Sequence, residues 1–166
     1  MKLHVNNNVM SNLEICMNET IMLRPATIQD ADTLLDWRND PATRKASHST
    51  SRVGKEEHLA WLSEILNSNN RKLFVADEND APVGTVRADF SEGAWELSWT
   101  VAPNARGRGV AKRMVALFAQ QINEPIRAEI KTGNIASALI AESVGMVFIQ
   151  EVEGVLHYRR EAMKRT

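Results

Sequence analysis

Apolar and polar positions alternate with a period of two in TIMLRPAT (Thr20 to Thr27), which predicts a strand ending near Pro25. Thr27 and Asp30 have the spacing of a capping pair. Ala31, Leu34, Leu35 and Trp37 then continue an apolar helical stripe. From Arg38 to Gly54 the chain is polar and broken by Pro41, which predicts a loop with at most a short helical turn. In KEEHLAWLSEILNS (Lys55 to Ser68) the apolar residues return at helical spacing. Three strand patterns follow, RKLFVADE, APVGTVRADFS and AWELSWTV, joined by the turns NDA and SEG. A helix from about Val110 to Gln121, the strand PIRAEIK, the helix NIASALIAESVG and a final strand pair around Glu153 and Gly154 complete the chain. The predicted order is βααβββαβαββ. Three consecutive strands imply antiparallel pairing, and the later strand–helix–strand step implies a parallel neighbour reached by a right-handed crossover. The expectation is a single α/β domain over residues 21–166, with a mixed sheet covered by helices on both faces. Residues 1–20 are expected to form an extension, with one extra strand near Leu13 to Met17 as an option.

Length and composition leave this picture intact and remove several functions. A chain of 166 residues with 43% apolar and 25% charged residues is ordinary for a globular domain that buries a core. The net charge of −1 does not advertise a nucleic-acid face, and the basic end HYRREAMKRT reads as a solvated terminus. No apolar run approaches the roughly 18 residues of a membrane span. The polar, Asn-rich start lacks the apolar core of a signal peptide. One cysteine, Cys16, excludes an internal disulfide and suits a reducing compartment, so a cytoplasmic location is expected. No His/Cys group has zinc-ligand spacing, so no metal is expected.

The informative stretch is TVAPNARGRGVAKRM, from Thr100 to Met114. Gly107 and Gly109 give up backbone entropy and supply nothing to pack, so the turn needs its bare backbone. Amides left unpaired at a helix N-terminus converge on anions, and Arg106, Arg108 and Lys112 add charge around them. A phosphate loop of the Gly-x-x-x-x-Gly-Lys-Ser/Thr kind is absent. A dinucleotide fingerprint would need a third glycine where Lys112 stands, and it would open the fold rather than follow four strands.

Arg106-x-x-Gly109-x-Ala111, between a strand ending at Val101 and a helix, resembles the acetyl-CoA signature of the GNAT family of N-acetyltransferases. NIASALIAESVGM, with Asn134, Ser137 and Gly145, is similar to the family's later Asn-x-x-Ser…Gly-Phe segment, with Met146 in place of the Phe. IMLRPATIQDADTLL is similar to its first strand and helix. The resemblance spans roughly Ile21 to Arg160. It implies an acyl-CoA N-acyltransferase fold with acetyl-CoA as co-substrate. The main chain of Trp99, Thr100 and Val101 would pair with the pantetheine arm. Amides of Arg106, Gly107, Arg108, Gly109, Val110, Ala111 and Lys112 would hold the pyrophosphate, and Asn134 and Ser137 would flank the arm. Where many members carry a Tyr to protonate the leaving thiolate, this chain has Ala141, and Tyr158 on the last strand is a poor substitute.

Acetyl transfer requires a neutral amine, donors for an oxyanion and departure of the thiolate. Glu96 is the expected base, since alternation puts it on one face with Ser98 and Thr100. Cys16 is remote from every motif, so direct transfer is expected rather than an acetyl-cysteine. DWRND and EEHLAWL resemble the branch that acetylates nucleotide-linked amino sugars. Arg38, Asn39 and His58 are therefore expected on the acceptor side, with His58 at the helix surface and Trp37 and Trp61 in the core. Acceptors at protein N-termini or on polyamines are the alternatives, as is a CoA-binding module without catalysis. The protein is expected to act on a small-molecule amine as a monomer or homodimer, without nucleic-acid or membrane partners.

Overall fold

The computed structural model describes residues 20–164. The strand considered for Leu13 to Met17 lies outside them. Among the described residues seven strands form one sheet in the order β1-β2-β3-β4-β5-β7-β6. They are β1 (Ile21–Pro25), β2 (Arg71–Glu78), β3 (Ala81–Ser91), β4 (Ala94–Val101), β5 (Ile126–Lys131), β6 (Val147–Val152) and β7 (Val155–Arg160). The helices are α1 (Ala31–Asn39), α2 (Pro41–Ala46), α3 (Lys55–Leu66), α4 (Val110–Ala119) and α5 (Ile135–Ser143).

Local chemistry explains the boundaries. Thr27 and Asp30 form a capping box, with the Thr27 amide donating to Asp30 Oδ2 at 2.8 Å; one 3-10 turn precedes α1. The main departure from the sequence pattern is α2. Pro41 does not break a helix there but begins one, at a position where its missing N–H is no loss. Asp40 caps it, its Oδ2 accepting from the Thr43 amide at 3.1 Å.

The two sheet faces are distinguished by neighbouring residues of β2. Phe74 packs against Phe118 of α4, with ring centroids 5.3 Å apart. Leu73, on the opposite side of the pleat, borders a cavity together with Trp37 of α1 and Trp61 of α3. The core runs along both layers, with Leu62, Val75, Val86, Met114, Val115 and Ile126 fully enclosed. At the far edge, β6 leaves Val147, Phe148, Ile149 and Val152 exposed.

One feature of the sheet determines the site. Strand β4 is paired with antiparallel β3 along its whole length, up to Val101 opposite Gly84. Its parallel pairing with β5 covers only Trp95 with Ile126 and Glu96 with Arg127. Beyond Glu96 the two strands separate, and the β4 edge from Leu97 to Val101 faces a gap instead of a ladder.

Candidate functional site

The gap between β4 and β5 opens into a cleft of about 520 Å³. Ser98, Trp99, Thr100 and Val101 border it on one side and Glu129, Ile130 and Lys131 on the other. Asn134, Ser137 and Ile140, from the N-cap and body of α5, also border it, as do Arg106 and Ala111 at the start of α4. Asn134 caps α5, its Oδ1 accepting from the Ser137 amide at 3.2 Å.

The turn before α4 has the backbone that the sequence pattern calls for. Gly107 and Gly109 take φ of +78° and +71°, in the left-handed region where a side chain is strained. A Cβ at either would meet no atom within 4 Å, so both face open space. Gly109 is the N-cap of α4 and no side chain caps the helix. The first-turn amides of this ten-residue helix are thus left for an outside acceptor.

The basic residues of the turn divide. Arg106 donates through Nη2 to Asp40 at 2.6 Å and to Thr43 Oγ1 at 3.1 Å, tying the turn to α2. This guanidinium, by hydrogen bonding, holds the Asp40 carboxyl below its usual range. The Arg108 side chain is directed away from the cleft to Glu78 at the end of β2, at 2.7 Å, and Arg113 Nη2 reaches the same carboxylate at 3.2 Å. Glu78 is buried, yet the hydrogen bond from Arg108 pulls its pKa down against the effect of burial. Arg108 therefore braces the turn through its side chain and can offer an anion only its amide. Lys112 is exposed on the first turn of α4.

A second cavity, of about 230 Å³, adjoins the first on the α1/α3 side of the sheet. Arg38, Arg87, Ser98, Trp99 and Thr100 border both, so the two are continuous along β4. Trp37 and Trp61 form its apolar walls. His58 also lines it and is 4% exposed, which corrects the surface position expected for it. Burial, opposed by a hydrogen bond to the Ala31 backbone, lowers its pKa. That shift favours the neutral ring, and among the described residues Nε2 has no hydrogen-bond partner.

Asn39, expected on the acceptor side, and Glu96, expected as the base, line neither cavity. Asn39 uses both halves of its amide on the Val53 backbone, at 2.9 and 2.8 Å, and fastens the loop after α2 to α1. Glu96 is on the expected face, since the register sets it opposite Asp89, as Ser98 is opposite Arg87. It is at the wrong end, however. It sits where β4 and β5 are still paired, with Arg127 Nε 3.4 Å from its Oε1, and it borders neither cavity. Tyr158 is buried against Phe148 and borders neither cavity. Arg87 and Glu57, which do line the second cavity, carry no motif of their own in the sequence. The only signal was the alternation that places Arg87 beside Thr85 on a polar strand face.

The sequence pattern of the acetyltransferase (GNAT) domain matches residues 20–147, most of the chain. The chain belongs to the GNAT family. It is thereby an N-acetyltransferase domain, and its mixed seven-stranded sheet is the fold of that family. Solved structures agree at the level of fold. A spermidine N-acetyltransferase from Vibrio cholerae, solved with CoA and spermine, superposes with a TM-score of 0.74 at 14% identity, covering 84% of this chain and 94% of that one. A ribosomal-protein-alanine N-acetyltransferase from Brucella melitensis gives 0.72 at 24% identity, covering 84% and 99%. A domain from Methanocaldococcus jannaschii gives 0.75 at 22% identity, covering 85% and 97%. A search of curated proteins found no match. Among the described residues of this GNAT domain no helix is long and apolar enough to cross a membrane, and no group of three or more His, Cys, Asp or Glu could hold a metal ion.

Proposed function

We propose that this GNAT domain binds acetyl-CoA and transfers the acetyl group directly to a primary amine of a small polar acceptor, such as a nucleotide-linked amino sugar. The observation that carries this reading is the unpaired edge of β4 running into the uncapped N-terminus of α4, with a second cavity continuous with the cleft along the same strand.

Acetyl-CoA supplies a thioester carbonyl, and the chain's own groups do the rest. The free N–H and C=O groups from Trp99 to Val101 suit the amides of a pantetheine arm, as an added strand would. Amides from Gly107 to Lys112 suit a pyrophosphate, with the helix dipole aligned to favour it. A backbone amide near Val101 would stabilise the oxyanion. The acceptor nitrogen attacks the carbonyl carbon, a C–N bond forms, the C–S bond breaks and the thiolate takes the electron pair. His58 replaces Glu96 as the group that accepts the amine's proton, because its neutral ring lines the cavity with a bare Nε2. Tyr158 borders neither cavity and Ala141 has no proton to give, so the thiolate takes its proton from solvent.

The test has two stages. Calorimetry with CoA should register binding, and thiol release from acetyl-CoA should then depend on an added amine from a panel of nucleotide-linked amino sugars, free amino sugars, polyamines and peptides. Absence of CoA binding refutes the reading. CoA binding with no turnover on any amine favours a non-catalytic module, to which Ala141 in the Tyr position would correspond.

A further inference from the structure

We infer that Arg38 and Arg87 form an anion clamp in the acceptor cavity, so that the acceptor amine belongs to a molecule carrying a phosphate or carboxylate group. The inference rests on the acetyl-transfer reading and names the substrate class for that site. Arg38 comes from α1 and Arg87 from β3, and the two side chains border the same cavity on the acceptor side of β4. Among the described residues Arg38 has no carboxylate partner: Nη2 donates to the Ser49 carbonyl at 2.8 Å, while Nη1 is buried without an acceptor. Arg87 has only a share of one. Its Nε is buried 3.1 Å from Asp89 Oδ2 without a hydrogen bond to it among the described residues, and the other oxygen of that carboxylate accepts from Arg71 at 2.9 Å. Asp89 lies beside two guanidiniums, of which Arg71 also has Glu64 at 3.5 Å, and Arg38 has no share in either carboxylate.

The cavity also makes the excess costly. Tryptophan walls lower the local polarity, and charges repel more strongly where water is scarce. Burial chiefly, and repulsion from Arg44 and Arg87, act against the charged form of Arg38; the Glu57 carboxylate at the cavity mouth only partly offsets them. An unpartnered buried N–H on a guanidinium is an expensive group to leave unmade. A ligand oxyanion placed between the two arginines cancels the repulsion, and a small turn of the Arg38 guanidinium brings the buried Nη1 to it. Forked guanidinium donors match phosphate and carboxylate oxygens in particular. A purely cationic amine, such as a polyamine, would bring a third positive charge to the same place.

The experiment uses the full chain saturated with CoA, so that the pyrophosphate turn is filled and cannot capture the probe. Calorimetry compares two matched pairs: glucosamine 6-phosphate against glucosamine, and alanyl-alanine against its C-terminal amide, with spermidine alongside. The charged member of at least one pair should bind tenfold or more tighter than the neutral one, and the pair that shows this tells phosphate from carboxylate. Arg38→Gln should abolish that preference, while Arg38→Lys, which keeps the charge and loses the fork, should keep part of it. The thermal shift induced by CoA reports folding of each variant, and Arg87→Lys takes the place of any variant that fails it. Equal binding within both pairs, tighter binding of spermidine, or a preference unchanged in Arg38→Gln overturns the clamp. Failure of the wild-type protein to bind CoA at all would instead overturn the acetyl-transfer reading.

Discussion

Alanine at Gly109 separates the conformational cost of a left-handed residue from its effect on a ligand. Gly109 has φ +71° at the N-cap of α4, and Gly154, in the β6–β7 turn, has φ +78°. Neither position has an atom within 4 Å of a would-be Cβ, so steric clash contributes nothing at either site. What remains is backbone strain of about 1–2 kcal/mol for alanine in the left-handed region. A stiffer unfolded chain offsets about 0.4–1 kcal/mol of it. Both variants should therefore lose about 0–1.5 kcal/mol, a fall in Tm of up to about 5 °C for a domain of this size. They should differ entirely in cofactor affinity. The Gly109 Cβ projects into the space an anion would enter, and relief of strain by rotation would turn the adjacent amides away from it. Loss of one hydrogen bond to a charged group, about 1.5–3 kcal/mol, raises Kd about 10- to 100-fold. Thermal melts and titration calorimetry with CoA on both variants make the comparison. If Gly109→Ala binds CoA as the parent does, or if Gly154→Ala weakens binding as much, the N-terminus of α4 is not the phosphate site.

Three further substitutions probe neighbouring parts of the reasoning. Glu78→Gln loses the carboxylate that braces Arg108 and Arg113; with Arg108 half exposed and able to re-solvate, urea melts at pH 7 should show a loss of only about 1 kcal/mol. Because Arg108 lowers the folded-state pKa of Glu78, its contribution is present above the ordinary value of 4.5 and is lost as pH falls through the lowered one, so Glu78→Gln should flatten stability against pH in that acid range. His58 has its pKa lowered by burial, so the unfolded chain takes up this proton first and stability should fall as pH drops below 6.5; His58→Gln should remove that slope and reduce kcat over the whole range, and an unaltered pH–rate profile would clear His58 of the proton transfer. Gly84→Ala would set a Cβ 2.8 Å from both the Thr100 carbonyl oxygen and Met114 Sδ; a backbone atom cannot swing aside, so thermal melts should register about 1–3 kcal/mol of destabilisation.

The strand and helix order could be read directly from the chain, because each element carries its own period of apolar residues and its own stop signals. The glycines of the turn were legible for a similar reason: a left-handed φ is a local requirement, and Gly107 and Gly109 meet it wherever the turn lies in space. Pro41 misled because proline ends one helix and begins another equally well, and only the cap from Asp40 decides which. Direction along a face was also legible, as for Glu96, but distance along it was not. The alternation of β4 says which side chains share a side; where β4 leaves β5 depends on how the two strands pair, and that puts Glu96 beside Arg127 and Ser98 in the cavity. Arg108 and Glu78 are thirty positions apart in the sequence, and His58, Arg38 and Arg87 come from three different elements. Local patterning thus determined what each segment becomes. Packing decided which charges are paired, which are buried without a partner and which face the cleft, since those depend on groups that only the folded chain brings together.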